Sequence, residues 1–198
     1  MPKRIGNIWS SIYDIDNIKT AHKMARQDKS FYDAVKKTDE NLDERAKEIS
    51  EMLRNHTYKV GLYKTSRYKD RGKDRILYKL PYYPDRIIQW AIMLKIEKHF
   101  KRVFLDSTCA SLPKRGIHYA SNLLNKYLQE HPNETTYCLK MDIKKFYPSI
   151  DRQILKKLLK KIFKDKDLLY ELDNIIDSFD KNDIYKLNLT EEEKEIYC

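Results

Sequence analysis

Most of this 198-residue chain repeats its apolar residues at intervals of three and four, and that rhythm restricts it to helices packed by one face. Leu42, Ala46, Ile49 and Leu53 form one such row. Ile154, Leu155, Leu158, Leu159 and Ile162 form another, and Leu168, Leu169, Leu172, Ile175, Ile176 and Phe179 a third. Residues 118–128 predict a helix with Ala120, Leu123, Leu124, Tyr127 and Leu128 turned inward. Asp16 is placed to cap a helix starting near Asn17. The run "DRIIQWAIMLKIEKHF" is apolar on most sides and predicts a buried helix. Pro84 suits its first turn, and Asp85 suits the positive end of its dipole.

Two places break the helical rhythm. Residues 58–80 hold two β-prone runs, "YKVGLYK" and "RILYKLP", separated by "TSRYKDRGKD", which predicts a hairpin with a long charged tip around Gly72. Residues 137–143 alternate: Tyr137, Leu139, Met141 and Ile143 on one face, Cys138, Lys140 and Asp142 on the other, which predicts a strand. "LDSTCASLPKRG" reads as a loop and "HPNET" as a turn. From Lys181 onward the sequence has no periodic face, and no repeat or low-complexity linker occurs.

Charge narrows the partners. Lys and Arg total 40 against 30 acidic residues, a net of +10. From Glu171 to Cys198 there are nine acidic and three basic residues, a net of −6, so the first 170 residues carry +16. A basic body of that size suits a polyanion, most simply nucleic acid, although charge alone does not separate this from a solvated basic surface. Cys109, Cys138 and Cys198 show no metal-binding spacing, and an odd, scattered count fits a reducing compartment. No apolar run approaches a membrane span or a signal-peptide core. The expectation is a soluble, cytoplasmic protein with no membrane partner.

Asp142 is the carboxylate that most needs a reason. At the end of a strand and facing a basic cleft, it suits Mg²⁺, which takes one or two carboxylates plus substrate phosphates. A turn or capping aspartate is the plainer alternative. The surrounding "LKMDIKKFYPSID" resembles the catalytic-aspartate motif of bacterial retroelement reverse transcriptases, of the group II intron and diversity-generating retroelement types. Asp142, Ile143, Phe146, Tyr147, Ser149 and Ile150 carry the match. The resemblance implies that Asp142 and the carbonyl of Ile143 bind metal. It also implies that Phe146 lies at the nucleotide site and that Tyr147 lies under the incoming sugar and excludes a 2′-hydroxyl. For one of the two aromatics, core packing is the plainer expectation.

Upstream, "GKDRILYKLPYYPDRIIQW" resembles the family's fingers through Gly72, Lys73, Arg75, Leu77, Pro81, Asp85, Arg86 and Gln89. The resemblance implies that Arg75 contacts the nucleotide triphosphate, for which a planar guanidinium is suited. Lys73 either joins it or touches the template. "STCASLPKRG" resembles a template-contacting loop through Ser107, Ala110, Arg115 and Gly116. Lys114 and Arg115 are expected on backbone phosphate, with Arg71 and Arg86 as further nucleic-acid contacts. Tyr58, Tyr63, Tyr68, Tyr78, Tyr82 and Tyr83 offer rings for base stacking, with more of them expected in the core or on ordinary surface.

The resemblance covers about residues 40–180 and implies an α+β fold: mainly helical fingers with a β-hairpin, plus the first part of a right-hand polymerase palm. Its expected divisions are an N-terminal helical extension (1–57), fingers (58–136) and a partial palm (137–198). It implies an RNA template, a DNA or RNA primer, a deoxynucleotide and two Mg²⁺ ions. The family's second metal motif, an aromatic-x-Asp-Asp hairpin, is absent, since no Asp-Asp pair occurs anywhere. One carboxylate does not hold two Mg²⁺ ions, so the expectation is the N-terminal part of an RNA-directed DNA polymerase, inactive alone. A missing C-terminal polymerase half or self-association would cover the unfinished palm. The alternatives are a non-catalytic basic RNA-binding module on a degenerate polymerase fold, an RNA-templated RNA polymerase, which the bulk of Tyr147 disfavours, and a purely structural helical protein.

Overall fold

A computed structural model describes residues 3–70, 72–143, 146, 147 and 149–178, without the side chains of Asp70, Lys73, Asp74 and Arg75. The fold is α+β, with eight α-helices and one two-stranded antiparallel sheet among the described residues. The order is α1 (Trp9–Ile12), α2 (Ile15–Ala25), α3 (Asp33–Glu40), α4 (Leu42–Arg54), β1 (Lys64–Asp70), β2 (Lys73–Lys79), α5 (Ile87–Lys101), α6 (Ile117–Glu130), α7 (Arg152–Ile162) and α8 (Lys166–Asp177). No described helix is long and apolar enough to cross a membrane. The chain divides into two units, Met1–Glu97 with Tyr147–Cys198, and Lys98–Phe146.

The first unit holds every buried apolar side chain among the described residues. Of the row expected on α4, Ala46, Ile49 and Leu53 are buried, beside Ile18 and Ala21 of α2, and Leu42 is half-buried. Ile87, Ile88, Ala91, Ile92 and Ile96 make α5 the most apolar contributor, as its composition predicts. Removing each such side chain from water is worth about 1.5–3 kcal/mol before entropy is subtracted. The α2 cap lies two residues before the expected one. Asp14, extended at ψ 134°, accepts from the N–H groups of Asp16 and Asn17, while Asp16 occupies the first turn. Asn17 is buried instead, and its amide donates to the carbonyls of Ile12 (2.9 Å) and Ala91 (3.1 Å), stitching α2 to α5.

Two segments of the first unit that are distant in sequence meet at one carboxylate. Asp165 Oδ2 accepts from the N–H groups of Ile8 (2.8 Å) and Trp9 (3.1 Å), and its Oδ1 from the N–H of Leu168 (3.3 Å). One side chain thereby caps α8 locally and α1 from 156 residues away. A parallel bridge between Ile5 and Phe163 runs beside it.

The hairpin exists, but its first strand is displaced. Residues 58–63 have no regular structure, and β1 occupies most of the segment expected as the tip. The register pairs Lys64 with Lys79 and Asp70 with Lys73, leaving a two-residue turn. Gly72 stands there at φ +79°, a backbone region that favours glycine. Thr65, Ile76 and Tyr78 are half-buried, whereas Tyr68 and Leu77 are exposed, so the ribbon has an inner and an outer face.

Two expectations fail in the second unit. Residues 137–143 form no strand and make no backbone hydrogen bond with other described residues. Alternation gives a strand two faces but not a ladder partner. On α6, Leu123, Leu124, Tyr127 and Leu128 are exposed rather than turned inward. Phe179 and the residues after it lie outside the described residues.

Candidate nucleic-acid interface

From Lys64 to Lys79 the sequence holds seven basic residues and two acidic ones, six of the basic ones on two short strands. Lys64, Arg67, Lys69 and Lys79 are exposed. Tyr68, 56% exposed, stands opposite Arg75 in the register. By strand alternation Lys64 and Lys79 share the face of Tyr68, and Arg67 and Lys69 the opposite face, so the ribbon offers cations on both faces and an open ring on one, as phosphate contact with base stacking requires.

The two approaches to the hairpin are fastened. On the N-terminal side, Asp85 accepts from the Tyr58 hydroxyl (2.7 Å) and from the N–H of Gly61 (2.8 Å). A Cβ on Gly61 would stand 2.8 Å from Asp85 Oδ2, so the close approach needs glycine. Burial, then the bond to Asp85, pushes the Tyr58 hydroxyl well above its usual range. Asn174 donates to the carbonyl of Tyr58 (3.2 Å), and Tyr63 pairs with Ser178 (3.0 Å). Asp85 is 1% exposed, so from its place in the turn that leads into the N-terminal end of α5 it also serves as this internal fastening.

On the C-terminal side, the wide turn Tyr82–Arg86 leads into α5, with Tyr83 extended as the residue before a proline prefers. The Tyr82 hydroxyl bonds His22 Nδ1 (2.9 Å), and the Tyr83 hydroxyl donates to Glu48. Arg45 lies over the Tyr83 ring at 4.5 Å. Burial raises the Tyr82 and Tyr83 hydroxyls to about 12. Tyr58, Tyr82 and Tyr83 therefore anchor the hairpin and present no free ring for stacking.

Each expected site residue has a place. Arg71 lies outside the described residues. Lys73 and Arg75 are on β2, with side chains outside the description. Arg86 is exposed at the entry to α5. Lys114 is exposed in the loop before α6, at φ +64°. Arg115 holds that loop together, donating to the carbonyls of Leu105 (3.2 Å) and Asp106 (3.3 Å). Asp142 and Ile143 are exposed in the segment without regular structure. Phe146 and Tyr147 are 51% and 83% exposed, so neither is core packing. Asp142 belongs to one unit and Arg75 to the other.

The described residues contain no group of three or more His, Cys, Asp or Glu side chains able to hold a metal ion. Asp142 offers one exposed carboxylate, and a two-ion Mg²⁺ centre needs carboxylates converging from more than one position. The exposed cations Lys64, Arg67 and Lys69 were not singled out by sequence: Lys64 ends a run that reads as strand, and Arg67 and Lys69 fall in a segment that reads as a loop. Their one legible signal is the spacing of Thr65, Arg67 and Lys69 at every second residue. No protein-family model matches the chain, and no curated protein matches it.

Proposed function

We propose that this protein grips nucleic acid through the fastened basic hairpin, in the manner of reverse-transcriptase fingers. The ligands its motifs suit are an RNA template, a DNA or RNA primer and a deoxynucleotide. The observation that carries the reading is the hairpin itself: a cationic two-stranded ribbon held at both approaches by buried or half-buried hydroxyl–carboxylate bonds. Rigid presentation lowers the entropy lost on binding. On this reading Arg75 and Lys73 meet phosphate, Lys114, Arg71 and Arg86 follow the backbone, and Tyr147 faces the sugar. Asp142 contributes one carboxylate toward Mg²⁺. Among the described residues no group of three or more such donors accompanies it, so no phosphoryl-transfer step is assigned. The exposed, solitary Asp142 equally suits the second reading, a binding module with no catalysis.

The test is fluorescence anisotropy with a labelled single-stranded RNA and a labelled RNA–DNA duplex. Binding weakens steeply with salt, and Arg67→Glu with Lys69→Glu lowers affinity by about tenfold or more and flattens the salt slope. No binding at low salt, or an unchanged slope, overturns the reading. Primer extension on an RNA template with Mg²⁺ is expected to give no product, and extension by the purified chain would refute the non-catalytic assignment. In a complete polymerase system, loss of synthesis with Asp142→Asn supports the polymerase reading, and unchanged synthesis supports the module.

A further inference from the structure

The nucleic-acid reading gives no role to the apolar half of residues 137–143. All seven residues are exposed, and Tyr137, Leu139, Met141 and Ile143 range from 63% to 94%. The segment makes no backbone hydrogen bond with another described residue. Alternating apolar side chains on a backbone with open N–H and C=O groups form a template for a strand from another chain. The helix α6 belongs to the same unit and adds a second open face. At about 100° per residue, Ile117, Ala120, Leu124, Tyr127 and Leu128 share an arc of about 100°. All of these but Ala120 are exposed. Lys126 and Glu130 lie off that arc and pair with each other. The face itself is uncharged, so it suits protein rather than a polyanion.

The residues of the run indicate which protein completes it. An antiparallel pair of identical strands about a two-fold axis sets one residue opposite itself. Centred on Met141, the pairs are Leu139 with Ile143, Lys140 with Asp142, and Met141 with Met141. Apolar residues then meet apolar ones on one face, and each Lys140 meets an Asp142 on the other. Centring on Lys140 or on Asp142 sets like charges opposite each other, which is unfavourable. Centring on Leu139 sets both charges opposite uncharged residues, Cys138 and Thr136. We propose that a second copy of this chain is the partner, joined antiparallel through residues 139–143 and centred on Met141. The apolar side of the resulting ribbon rests on the open face of α6. Residues 131–136 keep Tyr137 within about 25 Å of Glu130, so that face is in reach. The cover matters, because a bare two-stranded ribbon is marginal in water. The pairing is independent of the proposed function.

The test uses the full chain, cleared of nucleic acid with nuclease, in sedimentation velocity over a range of concentrations. A monomer–dimer equilibrium is expected. A monomer at about 100 μM overturns the pairing, and so does growth beyond a dimer, which a closed two-fold contact forbids. Lys140→Asp sets a carboxylate opposite Asp142 and is expected to weaken the dimer about tenfold or more. Lys140→Asp with Asp142→Lys exchanges the charges and is expected to restore it. Both side chains are exposed, so the helical circular dichroism is expected to stay unchanged. A dimer indifferent to Lys140→Asp, or one that the exchange does not restore, overturns the register. In a form carrying Cys109→Ser, Cys138→Ser and Cys198→Ser, position 141 is compared with its neighbours. Met141→Cys is expected to cross-link two copies under mild oxidation about fivefold further than Lys140→Cys or Asp142→Cys, since only position 141 faces itself. Equal cross-linking at the three positions overturns the register as well. RNA anisotropy reads the hairpin separately, so loss of RNA binding with an intact dimer overturns the proposed function alone, and a monomer that binds RNA overturns the pairing alone.

Discussion

Asp165 shows how much one side chain organises in this protein. It satisfies N–H groups at the start of α1 and α8, and both helices are too short to persist without tertiary support. Asp165→Ala leaves the Ile8 and Trp9 N–H groups without this acceptor and is expected to lower stability by about 2 kcal/mol, measured by urea unfolding. Glu171 works in the opposite direction. It is fully buried, its Oε1 accepts from the Asn174 amide (2.8 Å), and its Oε2 has no hydrogen-bond partner. Burial raises its pKa above the usual 4.5, opposed by Asn174 and by His56. The folded state therefore holds the proton more tightly than the unfolded chain. Stability from this group is full below 4.5 and is lost as pH rises through the higher folded value. Glu171→Gln is expected to flatten that decline, so the variant gains on the parent as pH rises above the usual carboxylate range in urea melts. An unchanged difference as pH rises would contradict the assignment. Neither role is visible in sequence, where Asp165 is one of several acids in a Lys-rich stretch and Glu171 occupies a helix position that reads as polar.

At the scale of elements, helices were legible and pairings were not. The helices α4, α5, α7 and α8 appear where periodicity puts them, because i, i+3 and i+4 spacing is a local property, but Ile154 and Leu158 of the row expected on α7 are exposed rather than packed. The hairpin was legible as a hairpin but not in its register, since β1 uses Ser66, Arg67, Lys69 and Asp70, which have no strong strand preference. Its turn depends on Gly72. Gly72→Val is expected to strain the turn by about 1–2 kcal/mol, weakening RNA binding while leaving the urea midpoint of the helical core unchanged. Residues 137–143 show the converse case. Their alternation is clear, but hydrogen bonds to a neighbouring strand are what make a strand, and no described segment supplies them.

The whole molecule distributes its core unevenly. The first unit contains every described buried apolar side chain, and the second exposes Leu105, Ile117, Leu124, Tyr137, Leu139 and Met141. Local opening follows burial, so brief trypsin treatment is expected to cut first within residues 98–146, with mass spectrometry showing the first unit's peptides intact longer. Early cleavage within α2 or α4 would contradict this division of stability.

The amino-acid sequence by itself determined the helical content, the presence of a hairpin, the basic body and the acidic end. These follow from short-range periodicity and from charge, which every window of the chain carries. Only the tertiary structure decided that Asp85 and Tyr58 fasten the hairpin, that Asp165 joins two distant helices, that Glu171 is buried, and that the residues around Asp142 stand open. Those outcomes depend on which groups meet across long separations, and on whether a polar group or a strand edge finds its partner there.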